Sequence, residues 1–204
     1  MDINVAKNTE HSIYHLMTQT VIPRPVAWVL TESGDNNYNL APFSFFTPVC
    51  SEPPLLMFSV GNKPNGSMKD TANNAMRTHK MVIHIADMTL AKQVTQTSAT
   101  LEHGDSELDA NHLSLTEFKD FSLPRVKGCN IALGCSLYKT DTVGDNDQTL
   151  VFAQVEHIYI NDSVIDDSNQ SRLIVDALKV DPLGRLGGIE YGSLGEILAV
   201  PRPV

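Results

Sequence analysis

The chain has 204 residues, of which 42% are hydrophobic and 19% are charged, and its formal net charge at pH 7 is −9. This length suffices for one compact domain with a hydrophobic core, so we expect a single domain over residues 1–204. The acidic balance, without a cluster of Lys and Arg, argues against nucleic acid and against an anionic membrane surface as partners, although one or two local cations can still bind a small anion.

The cysteines and the apolar segments bound the class of protein further. Three cysteines without a Cys-x-x-Cys pair argue against a disulfide framework and against a zinc site. His11 and His15 are four residues apart but have no third ligand nearby, so we predict no metal. The chain starts without a signal-peptide pattern, and no apolar run approaches the roughly 20 residues that span a bilayer. We expect a soluble, cytoplasmic protein with no membrane contact.

Short extended segments dominate the first half of the chain. Pro23 and Pro25 hold the backbone extended before an apolar run. The predicted strands are residues 26–30, a run through Phe46 that ends at Pro48, residues 55–60 and residues 81–86. Apolar residues at helical spacing predict helices over residues 70–79 and 90–99. The charged stretch 102–107 is predicted to be an exposed excursion.

The second half is predicted to form a long antiparallel hairpin. Alternating apolar residues flank a Gly-Asp-Asn-Asp turn at 144–147, within the range 130–165. A short helix is predicted over 172–178, and a glycine-rich segment at 185–191 precedes an apolar run at 197–200. Many short strands with few helices favour a β-barrel or a sandwich over a parallel α/β sheet.

Lys69-Asp70-Thr71 stands at the predicted start of a helix. Asp70 or Thr71 is a suitable N-cap, and the following backbone N–H groups have no partner inside the helix. A phosphate there would meet those N–H groups, the positive end of the helix dipole, a hydroxyl and an ammonium group. An ordinary capped surface helix is the alternative.

The segment Asn39-Leu40-Ala41-Pro42-Phe43-Ser44-Phe45-Phe46 suits a flat aromatic ligand. Ala41 is small and Pro42 has no N–H, so a ring could approach the backbone closely. Asn39 and Ser44 could reach the polar edge of an isoalloxazine. Together with a phosphate site, this pattern indicates flavin mononucleotide (FMN). The alternative is that the three phenylalanines are core residues of a barrel strand.

Further candidates flank these two motifs. Arg24, between two prolines, could bind a phosphate or a carboxylate in bidentate fashion, or make a surface ion pair. Trp28, the only tryptophan, is a core residue or a ligand border. Arg185 precedes Gly187 and Gly188, which permit close approach to a ligand or another subunit, or form a simple turn.

The sequence offers little for other chemistries. His84 alternates with apolar neighbours, which is typical of an interior histidine or of one at a flavin edge. There is no Gly-x-Ser-x-Gly nucleophile motif, no Walker A loop and no Rossmann glycine fingerprint.

Taken in order, these motifs resemble the flavin reductase-like family of FMN-binding split-barrel proteins, which includes flavoredoxin and short-chain flavin reductases. The resemblance covers most of the chain and is carried by residues 23–28, 39–46, 53–54, 69–71 and 185–191. It implies a mainly β fold with flanking helices, namely a six-stranded Greek-key split β-barrel. It also implies a homodimer with FMN near the subunit interface.

The resemblance also implies roles for individual residues. The isoalloxazine and the ribityl chain would be lined by Asn39, Leu40, Ala41, Pro42, Phe43 and Ser44. The phosphate would be surrounded by Lys69, Asp70 and Thr71. Arg24 and Trp28 would lie beside the flavin or one residue removed from it, and the segment from Arg185 through Gly187 would shape the rim.

The function that these features imply is an NAD(P)H-dependent flavin reductase. NADH or NADPH would stack on the flavin and pass hydride to N5, and a small molecule or a protein would then accept the electrons. No side-chain acid or base is needed for that step, because the cofactor carries the chemistry. A flavoredoxin-type electron-transfer protein without nicotinamide activity is the alternative, and a flavin carrier without turnover is a third reading.

Overall fold

The computed structural model describes residues 1–8, 10–34, 37–99, 107–168 and 171–203. Within these ranges the helices are α1 (Ile13–Thr20), α2 (Asp70–Thr78), α3 (Ala91–Gln96), α4 (Glu107–Ala110) and α5 (Ala177–Val180). The strands are β1 (Arg24–Pro25), β2 (Ala27–Gly34), β3 (Asn37–Phe43), β4 (Phe46–Ser51), β5 (Pro54–Val60), β6 (Lys80–Ile85), β7 (Leu115–Thr116), β8 (Arg125–Val126), β9 (Ile131–Val143), β10 (Gln148–Ile160), β11 (Gly184–Arg185) and β12 (Tyr191–Gly192). Three-residue 3₁₀ helices lie at Val5–Lys7, Met88–Leu90 and Asp162–Val164.

One antiparallel sheet organises the fold. Its strand order is β3-β2-β6-β9-β10-β5-β4, and small sheets of β1-β11-β12 and β7-β8 flank it. β3 lies at one edge of this sheet and β5 lies next to the other edge, yet the rings of Phe43 in β3 and Phe58 in β5 are 5.3 Å apart, so the sheet curls toward a barrel. The predicted mainly β split barrel is confirmed.

The sheet has seven strands where six were predicted. The extended run predicted through Phe46 forms two strands, because the chain bends at Ser44 and Phe45, and the second of them, β4, continues past Pro48 to Ser51, paired with β5. β4 lies at the edge of the sheet, so one of its sides has no neighbouring strand in this sheet. Pro48, which has no N–H to donate, is tolerated in such an edge strand.

Two hydrophobic clusters use the two faces of the sheet. Strand β2 contributes alternate residues to both, so it is buried on both faces, which explains its continuous apolar run. The inner cluster contains Ala27, Val29, Phe58, Met81, Ile83 and Val151, covered by Ala72 and Ala75 of α2. The outer cluster contains Trp28, Leu30, Leu40 and Val82, covered by Val94 of α3 and Leu108 of α4. The site described below lies at the edge where these layers meet.

The long hairpin is confirmed. β9 and β10 pair over their whole length and join at a turn over residues 144–147. Gly134 of β9 has a packing role, because an added Cβ would lie 2.9 Å from the ring of Phe121, which covers this strand.

Several predicted boundaries are wrong. The helix predicted over 90–99 is α3 alone, preceded by a 3₁₀ turn, and the helix predicted over 172–178 begins only at Ala177, where Asp176 caps it. The apolar run at 197–200 forms no strand, and Leu198 is 83% exposed. Residues 102–106 of the predicted excursion lie outside the described residues, whereas Glu107 at its end is buried and begins α4.

None of the helices in the described ranges combines the length and the apolar character needed to cross a bilayer.

Candidate functional site

A cleft lies where the edge strand β3 meets the N-terminus of α2. Its walls come from four parts of the chain. They are Asn39 and Ala41 of β3, Lys63 with Lys69, Asp70 and Thr71 around the start of α2, Thr97, Ser98 and Ala99 after α3, and Glu107 of α4.

A buried hydrogen bond joins β3 to α2 inside this cleft. The Asn39 side-chain amide donates to the Thr71 hydroxyl at 2.9 Å, and both residues are under 9% exposed. The Thr71 hydroxyl is thus held by the sheet rather than by its own helix. Lys69 is the N-cap and makes no side-chain capping bond, so the prediction that Asp70 or Thr71 caps this helix is wrong.

The charges in the cleft are arranged unevenly. Lys63 Nζ lies 2.9 Å from both carboxylate oxygens of Asp70, which ties the loop before α2 to its first turn. The side chain of the half-buried Lys69 makes no ion pair or hydrogen bond with the residues that the structure describes, while its backbone carbonyl accepts the N–H groups of Ala72 and Asn73. One ammonium group is therefore available to an anion beside the first turn of α2.

Glu107 is a buried carboxyl group in the same cleft. Its Oε2 accepts the backbone N–H of Leu40 at 3.1 Å. Glu107 is 7% exposed, and this burial, together with the nearby charge of Asp70, raises the pKa of its carboxyl group, which the hydrogen bond from Leu40 partly offsets. The side chain of Leu40 is fully buried in the outer cluster, so only its backbone faces the cleft.

The outer edge of β3 therefore offers little to a further strand. Leu40 and Pro42 occupy equivalent register positions opposite Leu30 and Trp28 of β2, so their backbone nitrogens face the same way. Glu107 takes the first nitrogen, and the second carries no hydrogen. This edge is closed to β-pairing but open to a flat ligand.

Trp28 reaches the cleft only through another residue. Its ring is fully buried, and Nε1 donates to the Thr97 hydroxyl at 2.8 Å. That hydroxyl donates in turn to the carbonyl oxygen of Val94 at 3.0 Å. The core interpretation of Trp28 is confirmed, and Thr97 is its link to the cleft wall.

Arg24 forms a second buried polar group, beyond the far end of β3. Its Nη1 donates to the carbonyl oxygens of Thr18 and Val21 at the end of α1. Its Nη2 donates to the carbonyl oxygen of Leu186 at 2.5 Å, and Nε lies 3.5 Å from the Ser44 hydroxyl. The prediction of a bidentate phosphate or carboxylate contact is wrong, and so is the surface ion pair, because this 6% exposed guanidinium is occupied by carbonyl groups.

Arg185 lies beside Arg24 across the β1–β11 pair. Its guanidinium stands 4.7 Å from the centre of the Tyr191 ring and donates to the carbonyl oxygen of Gly188 at 2.5 Å. Burial, and secondarily the charge of Arg185, lowers the pKa of Arg24. Gly187 permits close packing against α1, because an added Cβ would lie 2.5 Å from Cγ of Gln19.

The predicted site residues thus fall into three sets. The cleft brings together Asn39, Ala41, Lys69, Asp70 and Thr71. The second group, outside the cleft, contains Arg24, Ser44, Arg185 and Gly187. The side chains of Trp28, Leu40 and Phe43 are buried, and Pro42 connects the two groups along β3. Phe43 and Phe46 pack in the inner cluster while Phe45 is exposed, which confirms the core reading for two of the three phenylalanines.

The cleft lies within a segment of the chain that matches a known protein family. The model of the flavin reductase like domain matches residues 17–175, which include the whole cleft. The chain belongs to the flavin reductase-like family. The resemblance inferred from the motifs is thereby confirmed, although the matched range ends before Arg185.

Members of this family and related structures resemble the chain over nearly its full length. The protein YwrF of Bacillus subtilis is 37% identical over 93% of each chain. The structure of nitrilotriacetate monooxygenase component B from Bacillus cereus is 31% identical, with a TM-score of 0.88 and 98% of each chain covered. The 2-nitrobenzoate 2-nitroreductase NbaA of Pseudomonas fluorescens is 27% identical, with a TM-score of 0.86, covering 100% of this chain and 96% of that one.

The sequence analysis does not mark three parts of the cleft. They are Lys63, the residues Thr97 and Ser98 within the predicted helix 90–99, and Glu107 at the end of the predicted excursion. Thr97 and Glu107 reach the cleft by contacts distant in sequence, 69 residues from Trp28 and 67 from Leu40, whereas Lys63 contacts Asp70 seven residues along the chain. No local pattern marks such residues.

His84 lies outside the cleft and is a core residue, as the interior reading predicted. It is fully buried, and its Nε2 accepts the backbone N–H of Val126 at 2.9 Å. Nδ1 therefore carries the proton and donates to the carbonyl oxygen of Trp28 at 3.0 Å. Burial lowers the pKa of His84 to about 4.

Within the described ranges, His, Cys, Asp and Glu side chains form no group of three or more that could hold a metal ion.

Proposed function

We propose that the chain is an FMN-binding oxidoreductase that binds the flavin phosphate at the start of α2. The observation that carries this proposal is the ammonium group of Lys69, which no described residue occupies, beside the Thr71 hydroxyl and the first turn of a helix. A cation, a hydroxyl and the positive end of a helix dipole are the groups that a phosphate monoester takes.

The length and shape of β3 support a flavin lying along its edge. From Asn39 to Ser44 an extended chain spans about 16 Å, which suits a ribityl chain and a ring that continue from the phosphate. Ala41 and Pro42 let a flat ring approach the backbone. We assign the ring end to Pro42 through Ser44, where Arg24 holds the Ser44 hydroxyl and Arg185 shapes the rim.

We further propose that NADH or NADPH is the electron donor. Bound FMN would supply a hydride acceptor at N5, and the residues of the chain would hold the phosphate and fix the ring against β3. No described residue needs to move a proton in that step. All three cysteines are free thiols, which suits a reducing compartment such as the cytoplasm.

Exposed apolar side chains support a homodimer with the flavin near its interface. Tyr14, Met17 and Val21 on or next to α1 are at least half exposed, as is Ile189 in the turn that packs against α1. Exposed apolar surface of this extent marks an interaction site. A second copy of the chain would cover it close to Arg24 and Ser44.

An electron-transfer protein of the flavoredoxin kind is the second candidate. The same cleft would serve it, and the flavoredoxin structures share the fold at 16–17% identity. The solved structures that share more than 25% identity with the chain, among those compared above, are named for a monooxygenase component and for a nitroreductase. Both names describe enzyme systems, which favours the reductase.

The deciding experiment records the visible absorption of FMN-loaded protein without oxygen, before and after NADH and then NADPH are added. Rapid bleaching by either donor supports the reductase and identifies the preferred nicotinamide. A bound flavin that stays oxidised until dithionite is added supports the electron carrier. Failure of the protein to bind FMN at all would contradict the assignment of the cleft.

A further inference from the structure

The described charges that line the cleft sum to zero before any ligand enters. Lys63 and Asp70 neutralise each other at 2.9 Å. The ammonium of Lys69 and the carboxylate of Glu107 then remain as one charge of each sign. A phosphate monoester brings up to two negative charges, and one ammonium group cannot balance both those charges and an ionised Glu107.

Glu107 cannot easily leave the cleft to relieve this imbalance. The next residue, Leu108, is buried in the outer cluster, and the side-chain amide of Asn111 donates to the backbone carbonyl of Glu107 at 2.7 Å. Its own carboxylate is held by the N–H of Leu40 at 3.1 Å. The group is thus fixed beside the place where the proposed function puts the phosphate.

Protonation of the Glu107 carboxyl group costs less free energy than moving the side chain out of the cleft. A buried carboxylate is already poorly solvated, and a second anion nearby favours its protonated form further. A protonated Glu107 can still accept the Leu40 N–H through the oxygen that carries no proton, so β3 stays in place.

We propose that Glu107 is a specificity-determining residue of the flavin site: its carboxyl group fixes β3 and takes up one proton from solvent when the phosphate of FMN binds. This inference rests on the proposed function, because it takes FMN as the ligand. Glu107 then determines how strongly the site distinguishes a flavin with a phosphate from a flavin without one.

The other groups around Glu107 do not remove the effect. From the start of α2 it faces Asp70, whose negative charge acts in the same direction, and Lys69, whose positive charge opposes it. Lys63 is committed to Asp70. The residues that β3 and the segment after α3 contribute to the cleft wall are neutral. On α4 itself, Asp109 is exposed and lies outside the cleft.

The test compares wild type with Glu107→Gln, whose amide oxygen still accepts the Leu40 N–H. The dissociation constant of FMN is measured by quenching of flavin fluorescence at several pH values between 6 and 8. We expect Glu107→Gln to bind FMN more tightly at pH 8. The dissociation constant of wild type divided by that of the variant should rise by up to tenfold for each pH unit, as uptake of one proton requires. The second pKa of a phosphate monoester is about 6, so the range from pH 7 to 8, where free FMN is mainly a dianion, carries the comparison.

Two controls separate the possible failures. Asp109→Asn removes a charge from the same helix outside the cleft and should leave the pH dependence as in wild type. Riboflavin, which has no phosphate, should give a wild-type to Glu107→Gln ratio that is independent of pH. A melting curve of Glu107→Gln verifies that the variant is folded.

The outcomes are distinct. A constant FMN ratio, or weaker FMN binding by a folded Glu107→Gln, overturns the role of Glu107 while leaving the proposed function standing. An equal pH dependence with riboflavin overturns the phosphate link. Wild type that binds FMN at no pH overturns the proposed function and this inference together.

Discussion

Two buried charged side chains, Arg24 and Glu107, contact different parts of the segment that contains strand β3: Glu107 contacts its middle, at Leu40, and Arg24 contacts the residue that follows it, Ser44. Arg24 contacts three carbonyl groups and a hydroxyl, and these partners lie at the end of α1, just after β3 and just after β11. The carboxylate of Glu107 has two described hydrogen-bond donors, the N–H of Leu40 and its own backbone N–H, and it lines a cleft.

The difference lies in what else each group could bind. A buried charge that gives most of its hydrogen-bonding capacity to neighbouring carbonyl groups stabilises the fold and has little to offer a ligand. A buried carboxylate that lines a cleft beside an available ammonium group, and that accepts only from two described backbone N–H groups, can respond when a ligand enters. The partners of a buried charge, more than its burial, separate the structural role from the functional one.

The largest effect is expected for Arg24→Met, which keeps the length of the side chain but removes all of its donors. The carbonyl oxygens of Thr18, Val21 and Leu186 would lose their partner, at a cost of about 3 kcal/mol or more in the free energy of unfolding. Denaturant unfolding measures it. Arg77→Met is the matched control, because exposed Arg77 has one described bond, to the carbonyl oxygen of Glu32, and should cost about 1 kcal/mol or less. Equal costs for the two variants would contradict the clamp.

The next effect concerns His84, a buried group that is held neutral. Its folded-state pKa of about 4 lies below the ordinary value of 6.5, so the unfolded chain takes up a proton first as the pH falls. Stability is therefore complete above pH 6.5 and is lost as the pH falls toward 4, by about 3 kcal/mol in total.

Unfolding free energies between pH 7 and 5 isolate this effect, because most carboxyl groups titrate below that range. The raised pKa of Glu107 acts in the opposite direction, since the folded state then binds a proton more readily, so the Glu107→Gln background should steepen the loss. His15→Gln removes an exposed histidine of α1 and should change nothing. A flat profile over this range would contradict the neutral, buried assignment of His84.

The smallest of the three effects tests the cation of the cleft. Lys69→Ala removes a charge-assisted contact worth roughly 1.5–3 kcal/mol, so FMN should bind about ten- to a hundredfold more weakly. Lys92→Ala on the exposed side of α3 is the control and should bind as wild type does. Unchanged FMN affinity in Lys69→Ala would place the phosphate elsewhere.

The sequence predicted the parts of this molecule that depend on local pattern. The strand at β2, the start of α2 at Asp70 and the hairpin turn at 144–147 follow from apolar periodicity and turn residues, and the structure confirms them. The motif at 39–44 and the motif at 69–71 were each weak alone, but their order identified the family. The structure then brings Asn39 and Thr71 within 2.9 Å.

The rest depends on contacts between distant segments. The partners of Arg24 are backbone carbonyl groups, which every residue has, so nothing in the sequence marks them. Glu107 stands in a polar stretch whose composition indicates exposure, and only the packing of Leu108 in the core buries it. The prediction that Asp70 or Thr71 caps α2 was wrong for the same reason, because their side chains bond to Lys63 and Asn39, which lie outside the helix.

The link from Trp28 through Thr97 to the cleft wall has a spectroscopic consequence. Trp28 is the only tryptophan of the chain, and its fully buried indole has one rigid environment, so its emission should be blue-shifted and uniform. Oxidised flavin absorbs in the range where such an indole emits. A flavin in the cleft, one residue away from the ring, should therefore accept its excitation energy, which gives the protein a built-in optical reporter of its own occupancy.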